Sequence, residues 1–328
     1  MSSSLTRAPV NYTNKKRLCL TYYKEFKYAS EEYWKLNEYI LSQIPITYSV
    51  IARREQIMSK QSELIGEHPK SGLFFDWCKH EDIPTTTTKK HRKLTNKGID
   101  RDILIDELSS FILKHHISPL KVQQFEKKKS ILNKHEFNTY VDRRMPFPVQ
   151  NFTTQKGNLG EIILAEYLEA SSKLEVVIFK LHFNPNIEQA MKGDDILLFD
   201  KQNISNKMIM GEAKYRGTPT KQVVMDVINS LSKDNLPISL TFVSDRLMEL
   251  GEIDLSEEID DLVDKVATDS IDIIYVGFIH SNEKVSVPIE AHLHNSDNEN
   301  LVILSYGEEN PNDLIEKSFL KAIDKMRS

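Results

Sequence analysis

Lys192-Gly193-Asp194-Asp195-Ile196-Leu197-Leu198-Phe199-Asp200 and, after the loop Lys201 to Asn206, Lys207-Met208-Ile209-Met210-Gly211-Glu212-Ala213-Lys214-Tyr215 form the stretch that decides the fold. Two apolar runs of strand length are joined by a connection short enough for a hairpin. Side chains alternate across a strand, so Glu212 and Lys214 project from one face together. In an antiparallel pair the beginning of one strand lies beside the end of the next, which sets Asp195 next to Glu212 and near Lys214. Asp194 then points away from Asp195 and is a reserve group. Two carboxylates held together repel unless a cation lies between them. An all-oxygen pair favours a hard ion, Mg²⁺ with Mn²⁺ as a substitute. Such an ion leaves positions for a water and a phosphate oxygen, and Lys214 can hold the water or neutralise developing charge. Taken alone, the Glu212-Ala213-Lys214 triplet is also an ordinary edge-strand decoration.

Upstream, GNLGEIILAEYLEASS, from Gly157, has helical spacing and puts Glu161 in the inward sector of Leu164, Ala165 and Leu168. Glu161 is a third acid for the site, or a helix-start glutamate favoured by the helix dipole. A β-rich run, LEVVIFKLHF, follows it. Downstream come a helix, TKQVVMDVINSLSK, a strand, ISLTFVSD, an acidic helix, LSEEIDDLVDKVA, the strands IDIIYVGFIH and LVILSY, and a terminal helix. This α-β-β-β-α-β order predicts an α/β fold, a mixed sheet flanked by helices.

The first half reads as mainly helical, in TYYKEFKYASEEYWKLNEYILSQI, IARREQIMSKQSELIG and RDILIDELSSFILKHH, with a Thr-rich loop in HEDIPTTTTKKHRK. Pro146 and Pro148 make RRMPFPVQNF extended, and a domain boundary is expected there, between 1–150 and 151–328. Residues 1–150 hold 26 Lys and Arg against 17 Asp and Glu, and residues 151–328 hold 17 against 31. A polyanion is drawn to the first half, where Lys89, Lys90, Arg92, Lys93, Lys97 and Lys127 to Lys129 either neutralise phosphates or form a solvated surface. With 40% apolar and 28% charged residues the composition is that of a globular protein. No run approaches the roughly 18 to 20 apolar residues that cross a bilayer, and the opening residues lack the apolar core of a signal peptide, so a cytoplasmic protein without a membrane partner is expected. Cys19 and Cys78 have no ligand or disulfide spacing.

Glu161, Asp195 and Glu212-Ala213-Lys214 in this order of elements resemble the PD-(D/E)xK nuclease superfamily, although Gly193 or Asp194 stands where its proline would be. More narrowly, GNLGEIILAEYL, MKGDDILLFD and MIMGEAKYRG are similar to the HamA effector nucleases of the bacterial Hachiman anti-phage system. That resemblance covers roughly residues 151 to 245. It implies a restriction-endonuclease-like core, with Asp195 and Glu212 as metal ligands, Glu161 as an auxiliary ligand and Lys214 as the catalytic lysine. It also implies metal-dependent cleavage of DNA and a helicase partner.

Other features carry less. His292 and His294 alternate on an expected strand but lack a third ligand, and His115-His116 at a helix end complements the helix dipole. Arg216, Lys221 and Gln222 follow the Glu212 strand closely enough to touch a phosphate, or form a solvated helix start. No GxxxxGK[ST] loop is present, so the chain itself is not expected to be an ATPase. Two rival readings remain: a catalytically silent nuclease-fold module that binds protein, and a purely nucleic-acid-binding protein.

Overall fold

The computed structural model describes residues 58–84, 86–191, 193–232 and 237–328. The expected hairpin forms. β3 (Ile196–Phe199) pairs antiparallel with β4 (Lys207–Tyr215), with Ile196 opposite Gly211 and Phe199 opposite Met208. β4 then pairs parallel with β5 (Asp272–Ser281), and β5 parallel with β6 (Leu301–Gly307). Two strands from the first half extend the sheet: β2 (His91–Asn96), parallel to β6, and β1 (Cys78–Asp82), antiparallel to β2. The six strands lie in the order β1-β2-β6-β5-β4-β3.

Helices cover both faces, which is why the central strands read as nearly unbroken apolar runs. One face carries α3 (Arg101–His116), α6 (Phe152–Ser172) and α11 (Pro311–Arg327), where Leu104, Leu108, Leu164, Leu168 and Phe319 pack with Ile209, Val276 and Val302. The other face carries α7 (Lys221–Ser230), α8 (Ser239–Leu250), α9 (Ile253–Ala267) and α10 (Ser286–His292), packed on Met208, Met210, Ile279 and Ile303. Gly277 lets α7 approach β5, since a Cβ there would lie 2.3 Å from Val227 Cγ1. Short helices α1 (Lys60–Ile65) and α2 (Leu73–Trp77) precede β1, and α4 (Pro119–Lys129) and α5 (Lys134–Asp142) lie between α3 and α6. Asn151 starts α6 by accepting from the Thr154 N–H, one of the donors a helix start leaves unpaired. No helix among the described residues is long and apolar enough to cross a membrane.

Several expectations change. ISLTFVSD is not a strand but the start of α8, because the buried positions Leu240, Val243 and Leu247 recur at helical spacing and continue past the stretch. LEVVIFKLHF gives a single bridge, Glu175 with Phe199, and a 3₁₀ turn over Lys180–Phe183. The segment runs beside an edge strand of only four residues. His292 ends α10 and His294 lies in a 3₁₀ turn, so they do not alternate on a strand. The Thr-rich loop is flanked by β1 and β2, so the first half is not all helical. Nor does the described chain divide near residue 150. β1 and β2 belong to the same sheet, Phe147 is fully buried against His116 and Phe319, and one compact unit runs from Met58 to Ser328. The helix expected in TYYKEFKYASEEYWKLNEYILSQI, the start of IARREQIMSKQSELIG, Cys19 and Lys192 lie outside the described residues. Cys78 is a buried free thiol.

His116 is buried, donates from Nδ1 to the Ile112 carbonyl and accepts at Nε2 from the Asn158 amide. Burial pushes its pKa down to about 3. It is therefore neutral and does not complement the helix dipole, while His115 binds Glu166 at 2.7 Å. His68, between Tyr167 and the Cys78 carbonyl, is pushed down to about 4 by burial and by neighbouring His80. A depressed imidazole costs nothing above the unfolded value of about 6.5, where both states are neutral. Below it the unfolded chain takes up protons first, so stability is lost as pH falls from about 6.5 toward the folded values. For His116 alone the loss is about 2 kcal/mol at pH 5. Carboxyls raised by burial, Glu161 among them, work the other way over this range, so the His116 contribution is read as a difference: from pH 7 to pH 5 the urea midpoint of wild type should fall relative to that of His116→Gln. Parallel profiles for the two proteins would show that His116 is not buried as a neutral group.

Candidate active site

The site lies at the β3 edge, where the start of β3, the second half of β4 and the middle of α6 meet. By strand alternation Glu212 and Lys214 share the face of Met208 and Met210, while Gly211 and Ala213 face α6. Gly160 packs over Ala213, 3.5 Å from its Cβ by the position a side chain would take, and this brings the next residue, Glu161, to the sheet edge. Asp195 immediately precedes β3 and its Oδ2 accepts from the Ala213 N–H at 2.8 Å. That bond fixes its carboxylate in line with the β4 backbone, between Glu161 and Glu212.

Asp195 is the shared neighbour of both acids. Burial and then the Asp195 charge push Glu161 up to about 8, opposed by Lys180. Burial and then Asp195 also raise Glu212, opposed by its ion pair with Lys214. Lys214 keeps its proton firmly, since its partners Glu212 and Asp195 outweigh the burial that works against its charge. Lys180, from the 3₁₀ turn, lies 3.2 Å from Glu161 Oε2 and 3.5 Å from Asp195 Oδ1. As placed, no three His, Cys, Asp or Glu side chains among the described residues form a set that could hold a metal ion. Three carboxyl groups nevertheless gather here with two ammonium groups. Clustered oxygen donors on three acids, two of which ionise against burial and the charge of Asp195, are the chemistry that fits a hard divalent cation.

Asp194 is removed from the ligand candidates. Its Oδ2 accepts from the Ser239 N–H at 2.9 Å, and its own N–H donates to Ser239 Oγ at 2.8 Å, so it clasps the start of α8. Gly193 has φ +106°, and a Cβ there would lie 2.7 Å from Ser239 Oγ. A proline, fixed near φ −65°, cannot stand at that position. Arg216 and Gln222 both turn to Asp226, at 3.7 and 2.7 Å. The sequence reading missed Lys180 and Ser239, each hidden in a stretch read as strand.

The family model described as HamA matches residues 72–326. The chain is 40% identical over 268 residues to the "Hachiman protein HamA" of Bacillus cereus, covering 81% of this chain and 94% of the relative. The chain belongs to the HamA family. The HamA match begins within the residues before α2 and ends in α11, so it takes in all six strands, including the two from the first half that the shorter motif resemblance left out. Glu161, Asp195, Glu212, Lys214 and Lys180 all lie within the HamA-matched span.

Proposed function

We propose that this HamA-family chain is a divalent-metal-dependent nuclease with a restriction-endonuclease-like core, acting on DNA in anti-phage defence together with a helicase partner. The observation that carries this reading is the position of Asp195 between Glu161 and Glu212, with Lys214 beside Glu212. Asp195, Glu212 and Glu161 would hold Mg²⁺ or Mn²⁺, which supplies charge at a phosphate oxygen and makes a bound water easier to deprotonate. Lys214 has one carboxylate partner and is partly exposed, so it can orient a water and neutralise charge that develops on the phosphate. Ala213, through its backbone N–H, keeps Asp195 in register. Cleavage of linear and supercoiled DNA with Mg²⁺, against an EDTA control, tests the reading. It is run on the chain alone and with its reconstituted partner.

One observation favours the silent-module reading: the acids as placed are paired with lysines rather than open as a ligand set. The two readings separate on metal binding, which a silent module does not require.

Affinity for DNA is expected from α4. No residue of this helix is buried, its last turn is Lys127, Lys128 and Lys129, and it begins three residues after α3, whose end reaches the site through His115. Reversing these three lysines to Glu leaves the core untouched. It should weaken DNA binding and reduce the slope of log affinity against log salt by up to about 3, close to one unit for each phosphate that is no longer neutralised. Fluorescence anisotropy between low and moderate salt reads this directly. An unchanged slope assigns α4 to an ordinary solvated surface.

A further inference from the structure

Lys180 is the charged group at the site for which phosphodiester hydrolysis has no use. Its Nζ lies 3.2 Å from Glu161 Oε2, 3.5 Å from Asp195 Oδ1 and 3.2 Å from the Asp194 carbonyl oxygen. An ammonium group has three N–H donors and no acceptor, so these three oxygens fill its capacity. Lys214 differs, with one carboxylate partner and a side chain 29% exposed against 12% for Lys180. A lysine with every donor committed inside the protein cannot also serve a phosphate. Two carboxylates and a carbonyl are, however, the hard oxygen donors that a divalent ion takes. An ammonium and a metal ion cannot occupy the same oxygens.

We propose that Lys180 is a tethered cation that fills the metal-binding oxygens in the resting protein and must withdraw before a divalent ion can bind, a role that rests on the nuclease reading of this site. The fold supports the exchange on both sides. The oxygens stay in place when the lysine leaves, because Ser239 clasps Asp194 at both its N–H and its carboxylate, and the Ala213 N–H holds Asp195. Withdrawal falls to the long, flexible lysine side chain, since Ile178 and Leu181 anchor its segment in the two cores while Lys180 itself sits on a single 3₁₀ turn that, among the described residues, joins the sheet through the Glu175–Phe199 bridge. A cavity of ≈ 40 Å³, lined by Glu161, Lys180, Asp195 and His115, adjoins the group, room for about one water. The metal-free protein thereby keeps a cation between two buried acids, and metal affinity is lowered by the fraction of time the lysine stays in place.

The test uses the full chain and Mn²⁺, with calorimetric titration of wild type, Lys180→Met and Lys180→Gln, and thermal melts of each in EDTA and in Mn²⁺. Both neutral variants should bind Mn²⁺ at least about tenfold more tightly than wild type. In EDTA they should melt lower than wild type, and Mn²⁺ should restore them, since only the ion then separates Glu161 from Asp195. A variant that folds only with Mn²⁺ present gives the same support. The proposal is overturned if wild type binds Mn²⁺ and the folded variants bind it equally or more weakly. It is also overturned if the variants fail to fold with or without the ion, which would make Lys180 a fixed structural pair. If neither wild type nor variants bind Mn²⁺, the metal-dependent reading falls with it, a result distinct from the loss of Lys180's role alone.

Discussion

Glu212→Gln is expected to abolish Mg²⁺-dependent DNA cleavage while the fold and DNA binding persist. The substitution keeps size and hydrogen-bonding capacity but removes a charge that the protein holds against opposition, since burial and Asp195 both disfavour the ionised form. Folding does not depend on that charge. Glutamine relieves the repulsion from Asp195, so thermal stability should hold or rise, while metal affinity and rate are lost. Lys214→Ala should also lose cleavage by about a hundredfold or more, the scale of removing one group placed where charge develops in a transition state. The two variants separate under added metal: a high Mn²⁺ concentration partly rescues a weakened ligand set and does nothing for a missing lysine. Cleavage is measured on the isolated chain and with its partner reconstituted. Should wild type and both variants cleave at equal rates, the chemistry lies elsewhere. Should no condition give cleavage, the silent-module reading takes its place.

The hairpin was legible because it is local. Asp195, Glu212 and Lys214 are positioned by a short loop and by alternation, two rules that need no knowledge of the rest of the chain. Glu161 was legible for a similar reason, as an acid on the apolar stripe of a helix with Gly160 beside it. What failed was governed by partners distant in sequence. β1 and β2 join the sheet through β6, more than 200 residues away, and nothing in HEDIPTTTTKKHRK announces that pairing. LEVVIFKLHF has strand composition but lies beside a short edge strand, where its Lys180 is drawn to Glu161 of α6 and to Asp195 just before β3. ISLTFVSD was misassigned by length: eight residues rich in Ile, Val and Thr suit a strand, and the helical stripe shows only once Leu247 is included. The charge asymmetry of the two halves was real in sequence, yet it did not mark a structural division, because a basic segment can supply strands to an otherwise acidic sheet.

Arg92→Met should cost about 3 to 5 kcal/mol of stability, the range for stranding one member of a buried ion pair. Arg92 is fully buried in β2 and faces Asp82 across the β1 pairing. Its Nε donates to Asp82 Oδ1 at 2.6 Å and Nη2 to Oδ2 at 2.9 Å, a two-pronged pair that holds the Asp82 carboxyl below its usual range although burial works the other way. The remaining donors reach Ser62 Oγ at 2.7 Å, the Gly66 carbonyl at 2.9 Å and Tyr167 Oη at 3.3 Å. One guanidinium thus ties α1, β1 and β2 to α6, the helix that also carries Glu161. Methionine fills much of the space but leaves the Asp82 carboxylate without its cation, and the Gly66 carbonyl and the Ser62 and Tyr167 hydroxyls without this donor. Adding Asp82→Leu removes the stranded charge, so the double variant should recover a large part of the loss, and the coupling between the two sites can be read from the four-way comparison. Urea unfolding followed by both tryptophan emission and far-ultraviolet circular dichroism distinguishes the architectures. If residues 58–150 fold as part of one sheet with the strands of the candidate site, both signals shift together to a lower midpoint in Arg92→Met. A separate first transition, with the second left at its wild-type midpoint, would restore the division near residue 150 and sever Arg92 from the site.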